Sequence, residues 1–140
     1  MPDSRECSDY PPSDYRVPRF PSLCWPPHSC LLYTVYDSWR FTLLWTLIIF
    51  TVFHLGATAI ALLVQVGKPR SIWKYLVAIP IAYAIVAGVE ALVAGSVVGS
   101  ILGAVYTVAC YKLSTWIPFI WGFINVLILI ISSFTIQGGL

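Results

Sequence analysis

Two titratable side chains sit inside long apolar stretches of this 140-residue chain: His54 and Glu90. An ionisable group in a membrane-crossing helix is expensive to bury, and it faces a bundle interior or a water-filled cavity. For Glu90 the chemistry on offer is a proton or ligand site, or an anchor for a partner's basic residue. The plainer alternatives are a neutral carboxyl hydrogen-bonded inside the bundle, or a wet position in a hairpin turn. His54 lies at a depth that matches Glu90, so the two could pair and hold two helices in register. The plainer alternative is a neutral imidazole bonded to a backbone carbonyl or a hydroxyl. Asn125 is the third intramembrane polar residue. It shares a helix face with Ser132, with Ser133 adjacent, a pattern that reads as helix-packing glue.

Other chemistry is sparse. There is no glycine-rich phosphate loop, nucleophile elbow, His-Glu-x-x-His motif or pair of carboxylates, so the expectation is a protein that is not an enzyme. No cofactor or metal is implied. The four cysteines, Cys7, Cys24, Cys30 and Cys110, lack metal-site spacing. Cys24 and Cys30 could close a small disulfide loop in an oxidising compartment. Cys110, at a membrane edge, is open to acylation.

The elements that carry these residues follow from composition. The chain is 59% hydrophobic and 10% charged, with mean hydropathy +0.83. Soluble domains carry about 25% charged residues, so lipid must solvate much of this surface. From residue 41 onward the only charges are Lys68, Arg70, Lys74, Glu90 and Lys112. The fold class expected is all-α: a polytopic membrane protein with three transmembrane helices, over about 41–66, 81–110 and 117–136. The alternative has four, with residues 75–111 folded as a hairpin near Glu90. One pattern favours a single helix there. Ala87, Ala91, Gly95, Gly99, Gly103 and Thr107 recur every four residues, an unbroken ridge of small side chains for helix packing or partner docking. A mid-segment turn would break it.

Residues 1–30 hold seven of the ten prolines and read as a disordered tail. Residues 31–40, with Tyr33, Tyr36 and Trp39, read as an interfacial aromatic segment. Lys68, Arg70 and Lys74 set the topology: the positive-inside rule puts their loop in the cytosol and the N-terminal tail in the lumen or outside. There is no basic face for nucleic acid.

Ser38-Trp39-Arg40, Leu44-Trp45, Phe53-His54-Leu55-Gly56-Ala57, Ala94-Gly95, Gly103-Ala104-Val105-Tyr106 and Ile117-Pro118-Phe119 stand in an order and spacing that resembles the transmembrane protein 170 family, in a fungal-type form. The resemblance runs from about 36 to 136. It implies a small multi-pass protein of the endoplasmic reticulum and nuclear envelope, with three spans and a lumenal N-terminus. Family members are associated with reticulum sheet shape, nuclear envelope and pore organisation and, in animals, receptor signalling. No catalytic residue carries over. The function expected is a non-enzymatic scaffold or subunit in membrane organisation, within a hetero-oligomeric complex of other membrane proteins and in contact with membrane lipids. It would dock partners through the small-residue ridge, so that Gly99→Ile weakens partner recovery and spares insertion. The alternative is a subunit of a lipid-transfer or transport complex, with Glu90 and His54 lining a polar intramembrane path.

Overall fold

A computed structural model of the protein describes residues 11–65 and 73–138. Five elements follow one another: β1 (Leu31–Leu32), α1 (Val35–Val64), α2 (Trp73–Val108), β2 (Leu113–Ser114) and α3 (Trp116–Gly138). Three helices are long and apolar enough to cross a membrane, over Val35–Val64, Pro80–Val108 and Trp116–Phe134.

Helix α1 begins where a cap is available. Thr34 is extended (φ −108°, ψ 149°) and its Oγ1 accepts the Asp37 N–H at 3.1 Å. The Thr34 hydroxyl donates in turn to Asp37 Oδ2 at 2.5 Å. The pair satisfies one orphan N–H of the first turn, that of Asp37, and sets a carboxyl at the positive end of the helix dipole. The helix therefore starts inside the segment expected to lie flat at the interface, and residues 35–40 are its first turns.

Helix α2 is continuous over 36 residues, roughly 54 Å at 1.5 Å per residue. The hairpin alternative for 75–111 is not what forms. Pro80 lies within the helix; its ring costs one backbone hydrogen bond but leaves the chain helical on both sides. The helix stops at a Schellman-type turn. Tyr111 N–H donates to Tyr106 O at 3.0 Å and Cys110 N–H to Thr107 O at 3.2 Å, with Cys110 at φ 53°. Cys110 is itself disulfide-bonded, which removes it as an acylation site.

Strands β1 and β2 pair antiparallel, Leu31 with Ser114 and Leu32 with Leu113. This clasp gathers the start of α1, the end of α2 and the start of α3 at one end of the bundle. Leu32, Phe41 and Leu113 form its core, with Phe20, Tyr106 and Ile117 packed around them. Residues 11–30 cover this end, so the disordered-tail reading fails for them. Phe20 meets the rings of Phe41 and Trp45 at 5.5 and 5.2 Å. Trp116 Nε1 donates to Cys24 O at 2.9 Å, and Ser114 Oγ to Pro27 O at 2.6 Å. Cys24 and Cys30 are joined in a disulfide, their Cα atoms 5.8 Å apart. Prolines forbid helix in this segment, but they do not forbid docking onto a surface made elsewhere.

Helix α1 is the hub. It packs extensively on both α2 and α3, which meet one another far less. Its buried residues, Asp37, Ser38, Phe41, Thr42, Thr46 and Ile49, all lie in its first half. From Phe50 to Val64 none is buried. The bundle is tight at the clasped end and splayed at the other.

Candidate functional site: an intramembrane groove around Glu90

The small-residue ridge is spent inside the bundle. Ala87 and Ala91 are buried, as are Gly95, Gly99 and Gly103, while Thr107 is half-buried. A Cβ placed on Gly95 would lie 3.2 Å from Leu43 Cα, on Gly99 2.9 Å from Trp39 Cα, and on Gly103 2.8 Å from Val35 Cα. The α1 backbone thus lies directly against these three glycines. This is the close approach that small-xxx-small ridges permit. Helix packing is the task of these three glycines, and α1 blocks partner docking along them; Ala87, at the other end of the ridge, lines the groove around Glu90.

The α1 face that meets the ridge was not recognised from sequence. Ser38, Thr42 and Thr46 repeat every four residues, and all three are buried. Thr42 Oγ1 donates to Ser38 O at 2.9 Å, and Thr46 Oγ1 to Thr42 O at 2.8 Å. These back-bonds occupy the two threonine hydroxyls, while Ser38 Oγ is buried without a hydrogen bond among the described residues; all three leave short side chains facing α2. Asn125 reaches the same ladder from α3, its Nδ2 donating to Thr46 Oγ1 at 3.3 Å. Beside it, a Cβ on Gly122 would lie 3.0 Å from Thr46 N. Asn125 therefore acts as packing glue, as its residue type suggests. The signal for its partner was the four-residue spacing of Ser38, Thr42 and Thr46.

Beyond this ladder α2 and α3 diverge, and a groove of about 540 Å³ opens between the three helices. Phe50 and His54 of α1, Glu90 of α2, and Leu129, Ser132 and Ser133 of α3 line it. His54 and Glu90 thus line one cavity. Ser132 belongs to this cavity and not to the packing seam of Asn125. The His54 ring stacks on Phe50, with centroids 6.1 Å apart and planes at 11°. His54 also borders a second cavity of about 230 Å³, alongside Thr58 and Pro80.

The groove is open sideways. Glu90 and Ser132 are exposed, and Phe134 at its rim is 71% exposed. Glu90 stands ten residues after Pro80, where the apolar span of α2 begins. That is about 15 Å along a 29-residue span of roughly 44 Å, so Glu90 lies well inside it. The arrangement is an apolar trough within the spanning helices, lined by one carboxyl, one imidazole and two hydroxyls. Such a trough can bind and orient. Among the described residues no group of three His, Cys, Asp or Glu could hold a metal ion.

Lys68 and Arg70 lie outside the described residues, and so does the side chain of Lys74. On the clasped side, Lys112 Nζ sits 6.0 Å from the centroid of the Tyr33 ring. Tyr15 packs edge-on to Tyr33 at 4.7 Å and points its hydroxyl toward Asp37 Oδ2 at 3.5 Å. Burial, and then the nearby Asp37 charge, push the Tyr15 phenol up to about 12.

The family described as transmembrane protein 170A/B-like matches residues 31–140. The protein titled "Uncharacterized protein YPR153W" of Saccharomyces cerevisiae is 32% identical over 132 residues, covering 91% of each chain. No solved structure matches. With a match that begins at β1 and takes in all three helices, the chain belongs to the transmembrane protein 170A/B-like family.

Proposed function

We propose that this protein is a non-catalytic membrane subunit that engages another component of the bilayer through the groove around Glu90. The observation that carries this reading is the exposure of Glu90 inside the α2 span. A carboxyl facing hydrocarbon is costly, and an occupant that hydrogen-bonds to it offsets that cost. Gly95, Gly99 and Gly103 of the small-residue ridge, by contrast, offer nothing to a partner, since α1 already covers them. The scaffold role is thereby moved from the ridge to the groove. The same groove brings His54 and Glu90 together, which favours the second reading, a lipid-handling or transport subunit with these two residues on a polar intramembrane path.

The family resemblance supports residence in the endoplasmic reticulum and nuclear envelope, within a hetero-oligomeric complex that organises membrane. The Cys24–Cys30 disulfide supports a lumenal N-terminal side, since disulfides persist in oxidising compartments. The charges of Lys68, Arg70 and Lys74 favour a cytosolic α1–α2 connection.

The test is a photo-crosslinking side chain at Leu129, inside the groove, and another at Ile101, which is 58% exposed on the outer face of α2. In native membranes a discrete adduct at Leu129, absent at Ile101 and lost when Ala57→Phe fills the groove, is the expected result. Equal, diffuse adducts at both positions would overturn the proposal.

A further inference from the structure

We infer that the Cys24–Cys30 loop anchors the clasped end of the bundle in the membrane interface, seating the Trp25 ring in the headgroup layer of the surrounding bilayer. The partner of this surface is lipid, and the inference stands apart from the groove around Glu90.

Exposure is the first observation. Trp25 is 83% exposed, although tryptophan is a large residue that is highly buried on average. Its ring is left for something outside the chain to cover.

Rigidity is the second. The ring does not ride on a loose tail. Cys24 and Cys30, six positions apart, are joined by a disulfide. Ser22 Oγ lies 3.4 Å from Cys24 Sγ and donates to Cys30 Sγ at 3.5 Å. Ser29 Oγ donates to Pro26 O at 2.7 Å. Three further bonds pin the loop to the bundle: Ser114 Oγ to Pro27 O at 2.6 Å, Thr115 N–H to Cys30 O at 3.2 Å and Trp116 Nε1 to Cys24 O at 2.9 Å. Pro26 and Pro27, directly after Trp25, have fixed φ. A ring presented on such a loop loses little conformational entropy when it is covered.

Level is the third. The three residues that pin the loop are consecutive, and Trp116 opens the apolar span of α3. The loop therefore sits where α3 leaves the hydrocarbon. The clasp brings the start of α1 and the end of α2 to the same end, and there Tyr36 and Tyr111 are exposed. Rings with an apolar body and a polar tip favour the membrane–water boundary. Tyr36 stands at the α1 corner and Tyr111 at the α2 corner. Trp25 supplies the α3 corner of the same belt, from the tail and not from a helix.

Size decides between lipid and protein. A buried aromatic side chain contributes about 150–250 Å², whereas each side of a stable protein–protein interface buries roughly 800 Å². The other exposed residues of the loop, Pro26, Pro27, His28 and Ser29, add no second large apolar side chain. The headgroup layer demands no complementary surface, and it takes one indole with its face on the acyl chains and its N–H toward polar groups.

The test uses the full chain in phosphatidylcholine nanodiscs, whose two faces are both open to solutes. The Trp25 signal is the difference in emission between the native chain and Trp25→Phe, a change at an exposed site that leaves the packing intact. Phosphatidylcholine brominated near the glycerol end of its acyl chains should quench that signal more than phosphatidylcholine brominated near the methyl end. Aqueous iodide should quench it several times more weakly than it quenches free tryptophan amide. Cys24→Ser with Cys30→Ser opens the loop, and iodide quenching of Trp25 should then rise.

Iodide quenching as strong as that of the free amide, with no response to either brominated lipid, would leave the ring in water or for a protein partner and overturn the inference. So would stronger quenching from the methyl end, which puts the ring in the hydrocarbon. An unchanged iodide response in the double serine variant would overturn the loop as the anchor.

Discussion

Gly99→Ala is the most informative single change in the bundle. The new Cβ would sit 2.9 Å from Trp39 Cα, 3.0 Å from Trp39 O and 3.1 Å from Thr42 Cβ. Two of these atoms are backbone and the third is the root of a buried side chain, so none can swing aside. Ordinary contact begins near 3.4 Å. The helices must therefore part by about half an ångström, and that loosens Gly95 and Gly103 on the same ridge. Overpacking of this kind costs roughly 1–3 kcal/mol, and the helix preference of Ala over Gly returns roughly 0.5–1 kcal/mol. The net loss is about 1–2 kcal/mol, a large share of the stability of any small bundle. Gly56 and Gly88 are internal controls, because a Cβ there meets nothing within 4 Å. Their alanine variants should be neutral or gain up to about 1 kcal/mol. Unfolding of the purified chain in mixed micelles of rising SDS content, followed by tryptophan fluorescence, reads the difference. Gly99→Ile should be worse still and should impair folding itself, in contrast to the sequence-based expectation of lost partner recovery alone. If Gly99→Ala and Gly88→Ala share one midpoint, the close α1–α2 contact is wrong.

Asn125→Ala and Thr46→Val, alone and together, should show a coupling of about 0.6 kcal/mol and no more than about 1.7, the range for intramembrane hydrogen bonds; purely additive losses in the same unfolding assay would exclude the bond. Moving the carboxyl one turn along the groove wall, as Glu90→Ala with Val86→Glu, should preserve the Leu129 photo-adduct, because Val86 also lines the cavity. Glu90→Ala with Val89→Glu should lose that adduct, since Val89 is exposed and is not among the groove residues; indistinguishable adduct yields would detach the carboxyl from the groove. Tyr15, held up to about 12 by burial and then by Asp37, keeps its proton longer when the tail is docked than when it is free. Docking should thus be constant at neutral pH and weaken as pH rises from about 10, the ordinary phenol value, through 12. Tyrosinate difference absorbance between the native chain and Tyr15→Phe checks this, and a midpoint near 10 would contradict it.

The three spans were legible because charge marks their ends. Lys68, Arg70, Lys74 and Lys112 separate apolar runs, and hydrocarbon tolerates little else. The continuity of α2 through Glu90 was legible in the four-residue ridge, whose physical purpose requires one uninterrupted helix. What the ridge touches was not. Thr42 and Thr46 look polar on paper, and only their back-bonds to Ser38 O and Thr42 O show them to be short apolar steps. The docking of residues 11–30 was hidden for a different reason. It depends on contacts distant in sequence, such as Trp116 with Cys24 and Phe20 with Trp45, and local proline content says nothing about them. The groove was half legible: matched depth puts His54 and Glu90 at one level, but the cavity both line exists only because α2 and α3 part company.

That parting explains why Glu90 is where it is. A helix advances about 100° per residue, so Glu90 stands roughly 60° from Ala87 and 100° from Ala91 around α2. Ala87 and Ala91 are buried on the ridge that packs against α1, so Glu90 is turned off the seam and lies beside α3's half of the groove. A carboxyl on the seam itself would prop the helices apart at the point where Gly95, Gly99 and Gly103 demand contact. A carboxyl on the opposite side would face lipid with no polar neighbour. The flank is the position that keeps α1 and α2 together and still puts an acceptor opposite Ser132 and Ser133. The clasp, the disulfide-closed tail and the Asn125 bond fix the tight end of the bundle, and every buried residue of α1 lies there. Cohesion is concentrated at that end, and the other is left splayed, with a polar wall and a lateral opening. That division of labour is what a chain needs if its stability and its binding surface are not to compete for the same side chains.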